Sequence, residues 1–182
     1  MRNTDTKLTQ LTKLTWPTPA LEDAFLDMVR DWPREERRHL WAGACDDFAA
    51  YVQSLLNHAM PEHVNPGRVP YSHFWLVTGQ GRVIGTSRLR HYLVPHLEKE
   101  GGHIGYDVRP SGRGRGYGTR LLALTLCEAR RMGLSRVLVT CDEDNLASRR
   151  VIEKNGGELA SRGISERTGK PVLRYWIDLT DG

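Results

Sequence analysis

The sequence predicts a mixed α/β (α+β) fold built on a strand–helix–strand unit over residues 103–141, with a hairpin before it and a helix and two strands after it. Three observations carry this reading. Phe74–Thr78 and Arg82–Arg90 are rich in strand formers and flank Gln80-Gly81, a hairpin signal. Next, His103–Val108 reads as a strand, a glycine loop follows, and a leucine-rich segment runs to about Arg131 at helical spacing. Finally, Arg136–Cys141 is a short apolar run of the kind that forms a doubly covered strand. A strand, a crossover helix and a second strand should form a right-handed unit joining parallel strands.

Taken in order, a first strand fits Gln10–Thr15, and Trp16-Pro17-Thr18-Pro19 breaks it. Leu21, Phe25, Met28 and Val29 share a helical face that Pro33 ends. Arg34–Arg38 is a charge run, read as a solvated face or loop. A second helix fits Asp46–Ala59, and the prolines of Pro61–Pro70 mark a linker. Leu93–Gly102 reads as a loop. Leu122, Leu126 and Ala129 define the long helix, which Gly133 terminates. Asp142-Glu143-Asp144-Asn145 offers N-caps for a further helix carrying Val151 and Ile152 and ending at Gly156-Gly157. Glu158–Arg162 and Val172–Leu179 are the last strands. No internal repeat is present.

The 182 residues are expected to form one domain with a sizeable core, being 39% hydrophobic and 26% charged. A net charge of +4 suits an anionic ligand but is too small to indicate nucleic acid. Cys45, Cys127 and Cys141 form no CxxC, which argues against a disulfide framework or a metal site and for a reducing, cytoplasmic setting. They are read as small buried hydrophobes, and Trp16, Trp32, Trp41 and Trp75 as core or rim packing. No run is apolar enough to span a membrane, and Met1–Thr15 lacks a signal-peptide core.

The stretch that points to chemistry is Val108–Thr119, where four glycines and three arginines lie between a strand and a helix. Glycines allow close backbone approach, and a helix start offers free N–H groups and a positive dipole end. The expectation is a pyrophosphate cradle at the carboxyl end of a strand. A Walker loop needs Gly-Lys-Ser/Thr, but Gly118-Thr119-Arg120 stands there. A dinucleotide fingerprint places its third glycine on Tyr117 or Thr119, so it fails too. Coenzyme A is the third candidate. An Arg/Gly segment of the RNA-binding kind is a competing reading, but such segments are usually longer and lack flanking strand and helix.

Arg113-Gly114-Arg115-Gly116-Tyr117-Gly118 resembles the Arg/Gln-x-x-Gly-x-Gly/Ala signature of GNAT superfamily N-acetyltransferases. Val108-Arg109-Pro110 resembles their entry into that loop. Asn145-Leu146-Ala147-Ser148 and Glu153–Gly157 resemble the later motif that flanks the coenzyme. The likeness is strongest over residues 74–157. It implies a GNAT-like, mostly antiparallel twisted sheet of six to seven strands flanked by helices. Residues 1–70 would supply the acceptor side and 71–182 the coenzyme-binding core. It further implies acetyl transfer from acetyl-CoA to a primary amine of a small molecule or peptide by direct attack, without metal, nucleic acid or membrane. Arg113, Gly114, Arg115, Gly116, Tyr117, Gly118 and Thr119 would hold the pyrophosphate. Tyr106 and Val108 would pair with the pantetheine arm, one N–H polarising the thioester carbonyl. Asn145 and Ser148 would flank the coenzyme, although Asn145 can equally be a simple cap.

One position departs from the family pattern. By register from Asn145, the customary tyrosine that protonates the leaving thiolate is Ile152 here, which cannot donate a proton. Tyr175, Tyr106 and Tyr117 are substitutes, unless the thiolate leaves unassisted. His103, Asp107 and His91 are candidate bases. A non-catalytic coenzyme A-binding module of the same fold is the alternative reading. Arg88 and Arg90 share a strand face and either line a site for an anionic acceptor or are simply exposed. Oligomeric state stays open, a homodimer among the options.

Overall fold

The structure, a computed structural model, describes residues 11–35 and 41–180, so the starts of the first strand and of the polar N-terminal stretch, and most of the Arg34–Arg38 charge run, lie outside it. Sheet one has the order β1-β2-β3-β4, from Thr12–Thr15, Tyr71–Thr78, Val83–Arg90 and Ile104–Val108. Sheet two has the order β5-β7-β6, from Arg136–Asp142, Pro171–Asp178 and Glu158–Ile164. Every pairing among the described residues is antiparallel. The helices are α1 (Glu22–Arg30), α2 (Phe48–Asn57), α3 (Pro95–Lys99), α4 (Tyr117–Arg131) and α5 (Leu146–Lys154). The mixed α+β architecture is the one the sequence predicts.

Local chemistry explains the elements. The β2–β3 turn closes with Gly81 at φ 79°, a conformation that suits glycine. In α4, Leu121, Leu122, Leu126 and Ala129 are buried against the sheets. Each leucine contributes roughly 1.5–3 kcal/mol of burial. Thr125 joins this face because its hydroxyl is satisfied twice, by Ser87 Oγ at 2.8 Å and the Leu121 carbonyl at 2.8 Å. Phe25, Met28 and Val29 of α1 and Phe48 and Val52 of α2 form a separate core on the opposite face of sheet one, against Trp75 and Val77.

Three expectations change. The predicted loop Leu93–Gly102 contains the short helix α3, begun by Pro95 at its first turn. Cys45 and Cys127 are exposed and only Cys141 is buried. Most importantly, β4 and β5 share no ladder; they belong to different sheets. The two strands meet at His103. Its main-chain N–H donates to the Leu138 carbonyl at 2.7 Å, and its ring Nδ1 accepts from the Leu138 N–H at 2.9 Å. Both main-chain groups of Leu138 are thus consumed by one residue, and the two strands part beyond that point.

Candidate functional site

The glycine loop follows β4 directly, and β4 and β5 part to leave a cleft along that strand. After β4, Pro110–Gly112 forms a 3-10 turn, and Gly114 and Gly116 take φ of 73° and 82°. Gly116 is the N-cap of α4 and provides no side-chain cap. The first helical bond runs from Arg120 N–H to the Gly116 carbonyl at 3.1 Å, so the amides of Tyr117, Gly118 and Thr119 have no acceptor within the helix. Gly118 packs against α5: a Cβ there would stand 3.2 Å from Val151.

The arginines of the loop divide their work. Arg113 lies 4.7 Å from the Trp32 ring centroid and its Nε donates to the Val108 carbonyl at 3.3 Å. Arg115 lies over Tyr117 at 5.7 Å. Arg109 is 4% exposed and donates to Asp27 at 2.9 Å and to Asp31 at 3.0 Å, so it is a clamp from the loop to α1 rather than a solvated charge. Asp31 also accepts from the Ser111 amide at 2.9 Å and hydroxyl at 2.7 Å. Burial pushes the Asp31 carboxyl up, but the Ser111 hydrogen bonds and Arg109 outweigh it and hold the pKa at about 2.

Between β4 and β5 runs a cleft of about 730 Å³. Arg109 N–H bonds the Ile84 carbonyl and Arg90 N–H the His103 carbonyl, so odd-numbered residues of β4 face β3. Alternation then turns the main-chain groups of Ile104, Tyr106 and Val108 toward the cleft. Ile104, Tyr106, Cys141, Asn145 and Ser148 line it. Asn145 caps α5, its Oδ1 accepting from Ser148 N–H at 3.0 Å. The Tyr106 hydroxyl lies 2.9 Å from Ser148 Oγ, and burial pushes its pKa up to about 12.

The predicted catalytic residues are distributed unevenly. Asp107 lines the cleft. His103 is 7% exposed with Nδ1 engaged by Leu138, and burial, with the charge of Arg90, lowers its pKa to about 4. Tyr175 is 1% exposed; its hydroxyl donates to Glu153 at 3.2 Å in the core beside α5. His91 pairs with Ser72 at 3.0 Å. Tyr117 is buried with Leu76, Ile84 and Leu121. Ile152 is fully buried in the core.

Sequence reasoning missed the Arg109 clamp and α3. The former had a signal: Asp27 and Asp31 stand four apart on an amphipathic helix and so share a face.

A strand running into an uncapped, glycine-lined helix start beside an open strand edge is a geometry able to accept a phosphate-bearing, extended ligand. Residues 14–158 match the model of the acetyltransferase (GNAT) domain, and the chain belongs to that family. Solved structures share the fold. The ribosomal-protein-S5-alanine acetyltransferase from Vibrio fischeri is 17% identical, covering 94% of each chain at a TM-score of 0.66. The microcin C7 self immunity acetyltransferase MccE, in complex with acetyl-CoA and AMP, is 15% identical, covering 92% of each chain at 0.61. A spermidine N-acetyltransferase SpeG chimera from Vibrio cholerae and hSSAT is 13% identical, covering 92% of this chain and 95% of its own at 0.61. No curated protein matches the sequence. Among the described residues no helix is long and apolar enough to cross a membrane.

Proposed function

We propose that the chain transfers an acetyl group from acetyl-CoA to a primary amine of a small molecule or peptide by direct attack. The carrying observation is the uncapped α4 start next to the outward-facing main chain of β4. Family membership and the acetyl-CoA held by MccE support it. In this reading the amides from Arg113 to Thr119 take the pyrophosphate, and the helix dipole favours its charge. Tyr106 and Val108 pair with the pantetheine arm, and an N–H of this strand stabilises the oxyanion. Asp107 takes the amine proton, directly or through water. His103 serves to part the strands, since its ring is neutral and its Nδ1 is occupied. The thiolate receives a proton from the Tyr106–Ser148 hydroxyl pair, which replaces the absent tyrosine at position 152.

The test is calorimetry with acetyl-CoA, followed by thiol release over a panel of amines. Binding at micromolar coenzyme and turnover of at least one amine are expected; no binding at millimolar acetyl-CoA overturns the proposal. The buried Ile152 favours one second reading, a coenzyme A-binding module without catalysis. Binding without thiol release for any amine selects it.

A further inference from the structure

The face of sheet one that looks toward α1 and α2 carries rows of side chains that run from the coenzyme cleft toward a second cavity. Cross-strand register sets His73 opposite Arg88 and Arg88 opposite Gly105; the next row is Trp75, Thr86 and Asp107. A cavity of about 300 Å³ opens on these rows, walled by Trp41, Tyr51, His58, Tyr71, His73 and Trp75. Its rings are packed on one another: His58 stacks on Tyr71 at 4.7 Å, and His73 lies 5.0 Å from Tyr71 and 5.5 Å from His58. Two polar atoms of this wall, Nδ1 of His58 and Nε2 of His73, are buried without a hydrogen-bond partner. Native structures seldom leave such atoms unpaired, and a ligand group is a physical explanation for two of them in one cavity. Both rings are neutral: burial lowers each pKa, that of His73 to about 3 with help from His58 and Arg88. A neutral imidazole offers one donor and one acceptor nitrogen.

Arg88 and Asp107 line both this cavity and the coenzyme cleft, so the two spaces meet at them. The Arg88 guanidinium lies across Gly105, where a Cβ would stand 3.3 Å from Nη2; the missing side chain gives it room. Arg88 takes no part in the salt bridges of the described residues. Running across the strands, the order is aromatic cavity, cation, cleft edge.

We propose that this cavity is the acceptor pocket and that the acceptor is a free α-amino acid with a polar aromatic or heteroaromatic side chain. The proposal rests on the acetyl-transfer reading above. The ring fills the cavity and its polar atom meets the imidazole nitrogens. The carboxylate pairs with the Arg88 guanidinium, whose planar fork suits it. The α-amine, one carbon from that carboxylate, reaches the cleft beside Asp107. There the amine nitrogen bonds the acetyl carbonyl carbon, the thioester C–S bond breaks with its electron pair on sulfur, Asp107 or water takes the amine proton, and the thiolate gains one. An amine without a carboxylate would set its own cation beside an unpaired Arg88. An aliphatic side chain would leave both imidazole nitrogens unpaired. The cavity volume lies at the small end of ligand pockets, which fits one ring.

The test measures thiol release with acetyl-CoA and L-tyrosine, L-histidine or L-tryptophan, beside tyramine, histamine, tryptamine, L-leucine and a tyrosyl dipeptide. At least one of the three amino acids should show kcat/KM tenfold or more above its decarboxylated partner, above leucine and above the dipeptide. Arg88→Met should lower the kcat/KM ratio of that amino acid to its decarboxylated amine at least tenfold, and Gly105→Ala, which displaces the guanidinium, should act in the same sense. His73→Phe should reduce discrimination between that amino acid and L-leucine. Equal turnover of amino acids and amines, or an Arg88→Met ratio equal to wild type, overturns the acceptor assignment. If wild-type protein binds acetyl-CoA by calorimetry and acetylates only other amines, the acceptor assignment fails and the transfer reading stands. If it binds no acetyl-CoA, the transfer reading fails and the acceptor assignment falls with it.

Discussion

The hydroxyls of Tyr106 and Ser148 lie 2.9 Å apart, joining the open edge of β4 to the first turn of α5 across the cleft. Tyr106 comes from the strand before the glycine loop and Ser148 from the helix that follows Asn145, so the pair forms only when both sides of the cleft are in place. Burial pushes the Tyr106 hydroxyl pKa up to about 12, so it is protonated at neutral pH and available to donate a hydrogen bond.

Tyr106→Phe and Ser148→Ala are each expected to lower kcat by roughly a hundredfold, the lower end of the range for general acid catalysis. The double variant should fall little further than the worse single one, because the two hydroxyls act as a unit. Steady-state kinetics with a saturating amine checks this; fully additive losses would contradict a shared role.

Arg109→Met should destabilise the fold by roughly 1–3 kcal/mol, less than a fully buried pair because Asp27 is largely exposed. It should also weaken acetyl-CoA binding, since Asp31 anchors Ser111 at the loop entrance. Urea unfolding and calorimetry on one preparation measure both. Asp31 has a pKa depressed from 3.8 to about 2, so its share of stability is present above pH 3.8 and is lost as pH falls toward 2. Arg109→Met should flatten that acid limb.

Gly116→Ala places a side chain at φ 82°, which costs on the order of 1 kcal/mol. Its larger effect should be on coenzyme affinity, a loss of about tenfold or more. Gly116→Asp should abolish binding, because a carboxylate would stand at the phosphate site. Retained affinity in Gly116→Asp would move the pyrophosphate elsewhere.

His103 carries a pKa depressed from 6.5 to about 4, so burying it neutral favours folding above pH 6.5, and that contribution disappears as pH falls through the interval to 4. The effect should reach on the order of 2–3 kcal/mol at the acid end. Melting temperatures from pH 7 to 4.5 should drop in wild type and drop less in His103→Asn. If His103 acts only by parting the strands, kcat of His103→Asn should retain the wild-type pH dependence above pH 6.

Ile152→Tyr restores the residue customary in the family but should not raise activity. Position 152 is fully buried, so the larger ring overpacks the core at roughly 1–3 kcal/mol. Thermal unfolding and thiol release read the two effects separately. A gain in kcat would show that the helix repositions to aim the hydroxyl into the cleft.

The loop and its neighbours were legible because local chemistry dictates them. Glycines at 114 and 116 take left-handed backbone, and Asn145 caps a helix wherever that helix packs. Helical and strand periodicity likewise report which face is buried, so nearly every described element was expected within a few residues. The catalytic candidates were less legible. His103 and Tyr175 have useful side-chain chemistry, but their hydrogen bonds to Leu138 and Glu153 join residues 35 and 22 positions apart.

By itself, then, the sequence determined the order of elements, the glycine loop and the family resemblance, since each depends on residues close together in the chain. Only the tertiary structure decided that β4 and β5 part rather than pair, that Arg109 clamps α1, and that Arg88 lies between an aromatic cavity and the cleft. These depend on which side chain reaches a distant backbone or carboxylate first. His103 satisfies both main-chain groups of Leu138 from 35 positions away, and β4 and β5 share no ladder beyond that contact.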